Sequence, residues 1–549
     1  MIKRFNENHF AREFDLVIIG AGINGCGIAR DASERGLKVL LIEKNDFGSG
    51  CTAASTRLIH GGLRYLEHFE FDLVRESLVE REILLKNANH LVKPIRLCIP
   101  VYEGDKRGYW LIKSGMVLYD LLSFDKTLPS HKMLDSEGFL KYEPSLNSNL
   151  LKGGAVYYDA QVAFPERICL ENALMAKLNG AMVLNHAEVK SIKIIEDKIS
   201  SLEIIDKLCG EKYIVKGKII LNIAGPWVDK LCNLTGRDIK KQIGGTKGSH
   251  IIIEKFQNGP THAIYTSAKL DGRPFFIIPW QEYYLIGTTD ILFTNDLEHL
   301  KATNEEINYL LNEANRILKT KQITKADILY SYAGVRPLSL PSLQSNDPAG
   351  ITRKHIIHDH KGDGISNFIS VIGGKLTTYR HLSEEAVNLV YKKLNCNFVK
   401  SKTKFIPFMG NFEQGKNNET YFKSLINRAQ KKYDLDPEII THLINLYGKR
   451  YKLVLDLTLK DKDLGRLISS HSLDIRAQIL FSLHNEIAFT VSDILLRRTT
   501  LGFNKTIGED SINEAAKFIQ ESYFVSPDEM KKQIADYYEN VIKLRKVSV

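Results

Sequence analysis

The chain has 549 residues, too many for one hydrophobic core, so two or three domains are expected. Its hydrophobic content of 44% and charged content of 26% are those of an ordinary globular protein. The net charge of +10 suits an anionic substrate or an anionic membrane surface as well as a solvated lysine-rich face, and no Lys/Arg block with interleaved aromatics points to nucleic acid.

The seven cysteines are scattered and form no CxxC, which excludes a zinc ribbon, iron–sulfur spacing and an obvious disulfide framework. No metal is expected, and a reducing compartment fits. The first residues, MIKRFNENHFAREFD, have no apolar stretch of signal-peptide length. No run of about 18 uncharged apolar residues offers a membrane-spanning helix, so only attachment to a membrane surface remains open.

The first predicted elements form a βαβ unit. An apolar strand, Leu16 to Ile19, leads into Gly20, Gly22 and Gly25 in GxGxxG spacing. A helical pattern follows and stops at Gly36. A second apolar strand, Val39 to Ile42, ends in Glu43. Gly20 permits the tight turn, Gly22 lets a pyrophosphate approach the backbone, and Gly25 lets helix and sheet pack closely. The helix N-terminus favours the phosphate charge. Glu43 stands roughly 20 residues past the glycines, where a carboxylate accepts hydrogen bonds from an adenosine ribose and repels a 2′-phosphate.

The loop after Glu43 is small and polar, with Ser49, Thr52, Ser55 and Thr56 offering hydroxyls to a dinucleotide's second phosphate and ribityl chain. The plain alternative is a surface loop. It runs into His60-Gly61-Gly62-Leu63-Arg64-Tyr65, where the glycine pair lets backbone approach something flat while His and Arg reach past it.

At GAGING and STRLIHGGLRYLE the chain resembles the FAD-dependent glycerol-3-phosphate dehydrogenases. These belong to the superfamily of D-amino-acid oxidase and glycine oxidase, and the resemblance covers nearly the whole length. It implies an α/β (α+β) fold. A Rossmann-like FAD-binding domain would occupy about 12–90, 150–240 and 350–395. An inserted antiparallel-sheet substrate domain would occupy about 91–149 and 241–349, and an all-helical domain 401–549.

Further along, 68–90 reads as an amphipathic helix and 94–102 as a strand. Residues 108–124, GYWLIKSGMVLYDLLSF, are aromatic and apolar; a buried helix is the favoured reading and a face dipping into a membrane interface the alternative. After strands to Asn222 comes Ile223-Ala224-Gly225-Pro226-Trp227, which resembles the family's second flavin contact and also reads as a plain strand–turn–helix. Lys247-Gly248-Ser249-His250 precedes another strand, and Phe275–Pro279 with Tyr284–Ile286 makes a hairpin.

Arg336 sits in Ala333-Gly334-Val335-Arg336-Pro337, with a fixed backbone and a bidentate head. Val371 to Arg380, VIGGKLTTYR, is again strand, paired glycines and helix start. The segment from about 400 to 420 is polar and glycine-containing and reads as a linker. Helices follow, one opened by Asp436-Pro437 and stopped at Gly448, and the last by the capping box Ser526-Pro527-Asp528-Glu529.

By resemblance, FAD is held by Gly20, Gly22, Asn24, Gly25, Glu43, Thr52, Ser55, Thr56, Gly61, Gly62, Ala224, Gly225, Gly373, Gly374, Lys375 and Leu376. Oxidising a secondary alcohol that carries phosphate calls for a hydride acceptor, a proton acceptor and cationic anchors. Arg64, Tyr65, Arg336, Lys375 and Thr377 are expected to hold sn-glycerol 3-phosphate, with Arg336 and Lys375 also among the catalytic groups. His60 and His250 lead as the base. The cationic cluster lowering the hydroxyl's pKa is the alternative.

The family's reaction gives dihydroxyacetone phosphate and passes electrons to a membrane quinone. That implies peripheral attachment to the cytoplasmic face of the membrane, and leaves room for a homodimer. An oxidase delivering electrons to oxygen, an amine or amino-acid oxidase on the same fold, and a non-catalytic nucleotide-binding protein are the other readings.

Overall fold

The computed structural model describes all residues but 1, 3, 341–353, 414–418 and 548–549. Strand β1 (Phe14–Ile19), helix α1 (Ile23–Glu34) and strand β2 (Val39–Ile42) form the expected unit. They belong to a 6-stranded sheet in the order 356–359, 368–372, 217–222, β1, β2, 182–184. Its pairings are parallel except at the edge strand Ile356–Asp359. A parallel sheet needs cover on both faces, and β1 shows it. Leu16 and Ile18 pack among residues of α1 and the helices Pro165–Leu178 and Tyr379–Leu394. Val17 and Ile19 pack on the other face, against a 3-stranded antiparallel sheet formed by residues 187–215.

A second sheet of 10 strands holds nearly all the remaining β-structure, with its neighbours antiparallel apart from Ala263–Ser267 against Val92–Tyr102. Two of its strands, Leu58–Ile59 and Leu151–Val162, lie in stretches expected in the nucleotide-binding layer. The chain therefore crosses between the two sheets inside the 12–90 and 150–240 segments, and the cleft between the sheets is built from both.

The polar stretch at 401–413 is not a free linker. Ser401 and Thr403 hydrogen-bond Asp31, Arg30 donates to the Ile406 carbonyl at 2.8 Å, Asn87 donates to the Lys404 carbonyl at 2.8 Å, and Phe408 is buried under Arg30. Its polar groups are paired with the nucleotide-binding domain, so it lies docked as a strap. Residues 414–418 of that stretch lie outside the described residues.

The C-terminal part is helical as expected. Asp436 accepts from Glu438 N at 2.7 Å with Pro437 in the first turn, and Ser526 accepts from Glu529 N at 3.3 Å.

The helix expected to be buried, Tyr109–Leu122, buries only Met116 and Tyr119. Trp110, Leu111, Val117 and Leu121 are 73%, 59%, 54% and 66% exposed, and Phe124 just beyond is 77% exposed. The apolar composition is real, but most of it faces outward. Among the described residues, no helix is long and apolar enough to cross a membrane.

Candidate active site

The two sheets enclose one cavity of about 750 Å³, within the range of a cofactor pocket. At one end lies the turn after β1. Gly20 has φ +106°, and a Cβ there would stand 2.5 Å from the Ile223 carbonyl oxygen. A Cβ on Gly25 would stand 1.9 Å from the Gly20 carbonyl oxygen, so helix and turn touch backbone to backbone. Gly22 meets only the Thr52 hydroxyl, at 3.6 Å, and faces the cavity. It is the N-cap of α1 and carries no side-chain cap, so the amide end of the helix points at this space.

Glu43 closes the end. Its carboxylate accepts from Ala21 N at 2.8 Å and Asn45 N at 2.9 Å, which ties the glycine turn to the end of β2. Burial raises its pKa, and those two bonds oppose the rise. Thr52 Oγ1 accepts from Ile23 N at 3.1 Å. Asn24 donates to the Gly373 carbonyl at 3.3 Å, while its Oδ1 is buried without a donor among the described residues. Gly374, with φ +93°, lies against Asn24, where a Cβ would stand 2.9 Å from Nδ2. Side-chain-free backbone, a helix N-terminus and an unpaired buried acceptor fit the pyrophosphate and ribose of a dinucleotide.

The other end is cationic and aromatic. Lys375 Nζ donates to Ser77 Oγ at 2.7 Å and lies 4.4 Å from the Tyr65 ring centre. Arg336 is paired with Asp290 at 2.9 Å and donates to Thr288 Oγ1 at 3.1 Å. A Cβ on Gly248 would stand 2.3 Å from that guanidinium, so the bare glycine makes room for it. Arg64 lines the same space, and Tyr157, Tyr265 and Phe276 form its aromatic wall.

The two histidines line the cavity. His250 is 1% exposed, shares a 2.9 Å hydrogen bond with Thr56 Oγ1, and stacks on Tyr332 at 4.9 Å. Its Nδ1 is buried without a hydrogen-bond partner among the described residues. Burial, with Arg336 and Arg57 nearby, pushes its pKa down to about 3. His60 is likewise pushed to about 3 by burial, with Lys375 and Arg81 adding to it. Both are therefore neutral imidazoles near neutral pH, and the same downshift weakens each as a base. Thr377 Oγ1 accepts from His60 N at 3.2 Å and fixes the backbone of that turn.

Of the residues singled out from the sequence, all but Gly25 and Gly61 line the cavity. Gly25 lies beneath the turn, as its packing role requires. Gly61 is buried behind the site, where its N–H donates to Tyr119 at 3.0 Å and a Cβ would stand 2.4 Å from that hydroxyl. Tyr119 in turn donates to Asp159, which is paired with Arg81 at 2.6 Å. This buried network fixes the His60–Gly62 turn from outside the cavity. Sequence reasoning missed Asp290, Arg273 and the aromatic wall. Asp290 follows the hairpin in Gly287-Thr288-Thr289-Asp290, and no local pattern marks it or the other residues.

Fold and cavity together define a dinucleotide-dependent oxidoreductase. Residues 15–380 match the family described as FAD dependent oxidoreductase, and 401–530 match the C-terminal domain of alpha-glycerophosphate oxidase. The chain is 45% identical to a glycerol-3-phosphate dehydrogenase from Synechocystis sp. over 96% of each chain. It is 34% identical to an aerobic glycerol-3-phosphate dehydrogenase from Staphylococcus haemolyticus, covering 92% of this chain and 91% of that one. The solved glycerol-3-phosphate dehydrogenase from Bacillus halodurans, complexed with FAD, superposes with a TM-score of 0.79 at 27% identity, covering 98% of each chain. The chain belongs to the FAD-dependent glycerol-3-phosphate dehydrogenase family.

Proposed function

We propose that the protein oxidises sn-glycerol 3-phosphate at C2 to dihydroxyacetone phosphate and passes the electrons to a membrane quinone. The observation that carries the substrate is that Arg64, Arg336 and Lys375 all line the cavity onto which the glycine turn opens. Three cations beside an aromatic wall suit a small phosphate ester, and the relatives' names point the same way. Bound FAD supplies the hydride acceptor at flavin N5.

The chain's own residues do the rest. Arg64, Arg336 and Lys375, with Tyr65 and Thr377, bind and orient the substrate. Asp290 holds the Arg336 guanidinium in place, so less of its freedom is lost on binding. Neutral His60 or His250 takes the hydroxyl proton, and the cationic cluster stabilises negative charge as it develops on the oxygen. Gly20, Gly22, Asn24, Glu43, Thr52, Ser55 and Thr56 hold the nucleotide and ribityl parts of FAD, joined by Gly62, Ala224, Gly225, Gly373, Gly374 and Leu376.

The quinone is supported by the exposed apolar face of Tyr109–Leu122, continued by Phe124 and by Phe69 at 78% exposure. A patch of this kind marks a lipid or protein contact. Lys113 lies 5.0 Å from the Trp110 ring on the same helix, a cation that suits anionic headgroups beside the apolar face. The protein on this reading sits on the cytoplasmic face of the membrane. Oxygen as acceptor is the second reading, favoured by the match of 401–530 to an oxidase's C-terminal domain.

The test is an anaerobic spectrum of the purified protein before and after glycerol 3-phosphate. Loss of the oxidised flavin bands near full stoichiometry is expected. Unchanged bands, or equal bleaching by glycine or D-amino acids, overturn the substrate. Rapid recovery with a quinone analogue and slow recovery with oxygen are expected, and the reverse order establishes the oxidase.

A further inference from the structure

The loop after β2 forms cavity wall at both ends, through Glu43–Asn45 and Ser49–Thr52, while Asp46, Phe47 and Gly48 between them are buried and line none of it. Asp46 points into the helical C-terminal domain. Its carboxylate accepts from Arg497 Nε at 2.5 Å, from Arg498 Nη1 at 2.6 Å and Nη2 at 3.0 Å, and from Asn185 Nδ2 at 2.8 Å. Both arginines stand in Ile494–Arg498, a π-helical turn whose wider winding brings two successive side chains to one carboxylate.

A second carboxylate completes the cluster. Asp493 accepts from Arg497 at 3.2 Å and is paired with His186 Nε2 at 2.9 Å. His186 N donates to the Asn45 carbonyl at 2.6 Å, and Ala187 N to the Glu43 carbonyl at 2.8 Å. The helical domain thus grips the loop twice, at Asp46 and through 186–187 at Glu43 and Asn45. Two carboxylates, Asp46 and Asp493, thus face two guanidiniums, Arg497 and Arg498. Arg498 and Arg497 hold Asp46 below the usual carboxylate range although burial opposes this.

A buried ion pair is poor evidence for stability alone, since desolvation cancels most of its attraction. Its distinctive property is geometric: two forked donors on one carboxylate fix its position. A carboxylate three residues past Glu43 and three before Ser49 fixes both stretches of wall.

We propose that Arg497 and Arg498, acting through Asp46, are positioning residues for the cofactor, so that the helical domain holds the adenosine-side wall of the FAD site in its binding shape. This rests on Glu43 marking the adenosine side. The same interface carries an internal control: Arg167 and Glu486 are bidentately paired at 2.7 and 3.0 Å, fully buried, and neither lines the cavity.

The test compares Asp46→Asn, Arg498→Lys and Arg167→Met in the full-length holoenzyme. FAD release on dilution is followed by the rise in flavin fluorescence, and Tm is measured alongside. Release at least about tenfold faster is expected for Asp46→Asn, with a smaller rise for Arg498→Lys, which keeps the charge and loses the fork. Arg167→Met is expected to lower Tm at least as much and to leave release unchanged. Wild-type release in both loop-anchor variants, or release that follows Tm across all three, overturns the proposal. Should Asp46→Asn not fold, Arg498→Lys and Arg497→Lys carry the comparison. A wild-type protein without bound FAD would fail the cofactor assignment instead, and no arm of the test depends on the substrate.

Discussion

A single methyl group separates Gly25 from a broken cofactor turn, because its Cβ would stand 1.9 Å from the Gly20 carbonyl oxygen. Backbone on both sides leaves nothing flexible to yield. Gly25→Ala is expected to cost at least about 1–3 kcal/mol, the usual price of overpacking, and to yield protein with little flavin. Flavin absorbance per mole of purified protein checks this, and full occupancy would refute it.

Arg336→Ala is expected to lower kcat/KM for glycerol 3-phosphate at least about tenfold, a charge-assisted contact being worth about 1.5–3 kcal/mol. It also removes the guanidinium paired with Asp290, 7% exposed, so Arg336→Lys serves as the gentler comparison. Wild-type kinetics in both would place the substrate elsewhere.

His250 makes a prediction about acid. Its folded pKa of about 3 lies below the ordinary 6.5, so in between the unfolded chain binds a proton that the folded chain does not. Stability therefore falls as pH drops through that window. At pH 5 the loss is about 2 kcal/mol relative to pH 8 from this one ring. His250→Gln is expected to narrow the Tm difference between pH 8 and pH 5, and an unchanged difference would refute the assignment. These residue-scale features were legible to different degrees. Glycine spacing is a local property and announces itself, whereas His250's pKa depends first on its burial and then on Arg336 and Arg57, all of which only the fold supplies.

At the scale of elements, β1, α1 and β2 could be read because their pattern and their function are both local. The helix Tyr109–Leu122 could not be read fully. Its sequence states that it is apolar, but which apolar residues are covered is decided by its neighbours, and only Met116 and Tyr119 found cover. The strap at 401–413 failed for the opposite reason, since polar composition says nothing about whether the partners of those groups are water or Asp31, Arg30 and Asn87. The exposed face can be tested directly. Trp110→Asp with Leu121→Asp is expected to cut sedimentation with anionic vesicles at least about tenfold at low salt while leaving flavin bleaching intact. Wild-type binding would assign the membrane contact to another surface. Tyr119 must be left alone in such variants, because its hydroxyl also holds Gly61 beside the active-site turn.

For the whole molecule, the sequence was silent about what joins the nucleotide-binding part to the helical one. The interface combines buried ion pairs with apolar contact: Arg167 reaches Glu486 at 2.7 Å, Arg497 and Arg498 reach Asp46 at 2.5 and 2.6 Å, and Phe503 packs against Phe164 and Trp280. No window of sequence shows that Arg497 belongs with Asp46, because the charges become informative only when buried together. Removing Glu486 takes the bidentate carboxylate from the buried Arg167 guanidinium, so Glu486→Ala is expected to cost about 3–5 kcal/mol, read as a lower Tm or denaturation midpoint. A change within error would mean that water enters this interface.

The pairing of Asp46 with Arg497 also has a consequence for biosynthesis. The two residues are 451 positions apart in the chain. At roughly 5–20 residues per second, a ribosome spends on the order of half a minute or more between them. Throughout that interval the glycine turn and β2 are already made, but the carboxylate that must anchor their loop has no guanidinium to meet. Capture of the cofactor in its final form is thereby deferred to the end of translation, and a chain terminated early carries a nucleotide-binding motif without the means to hold its shape.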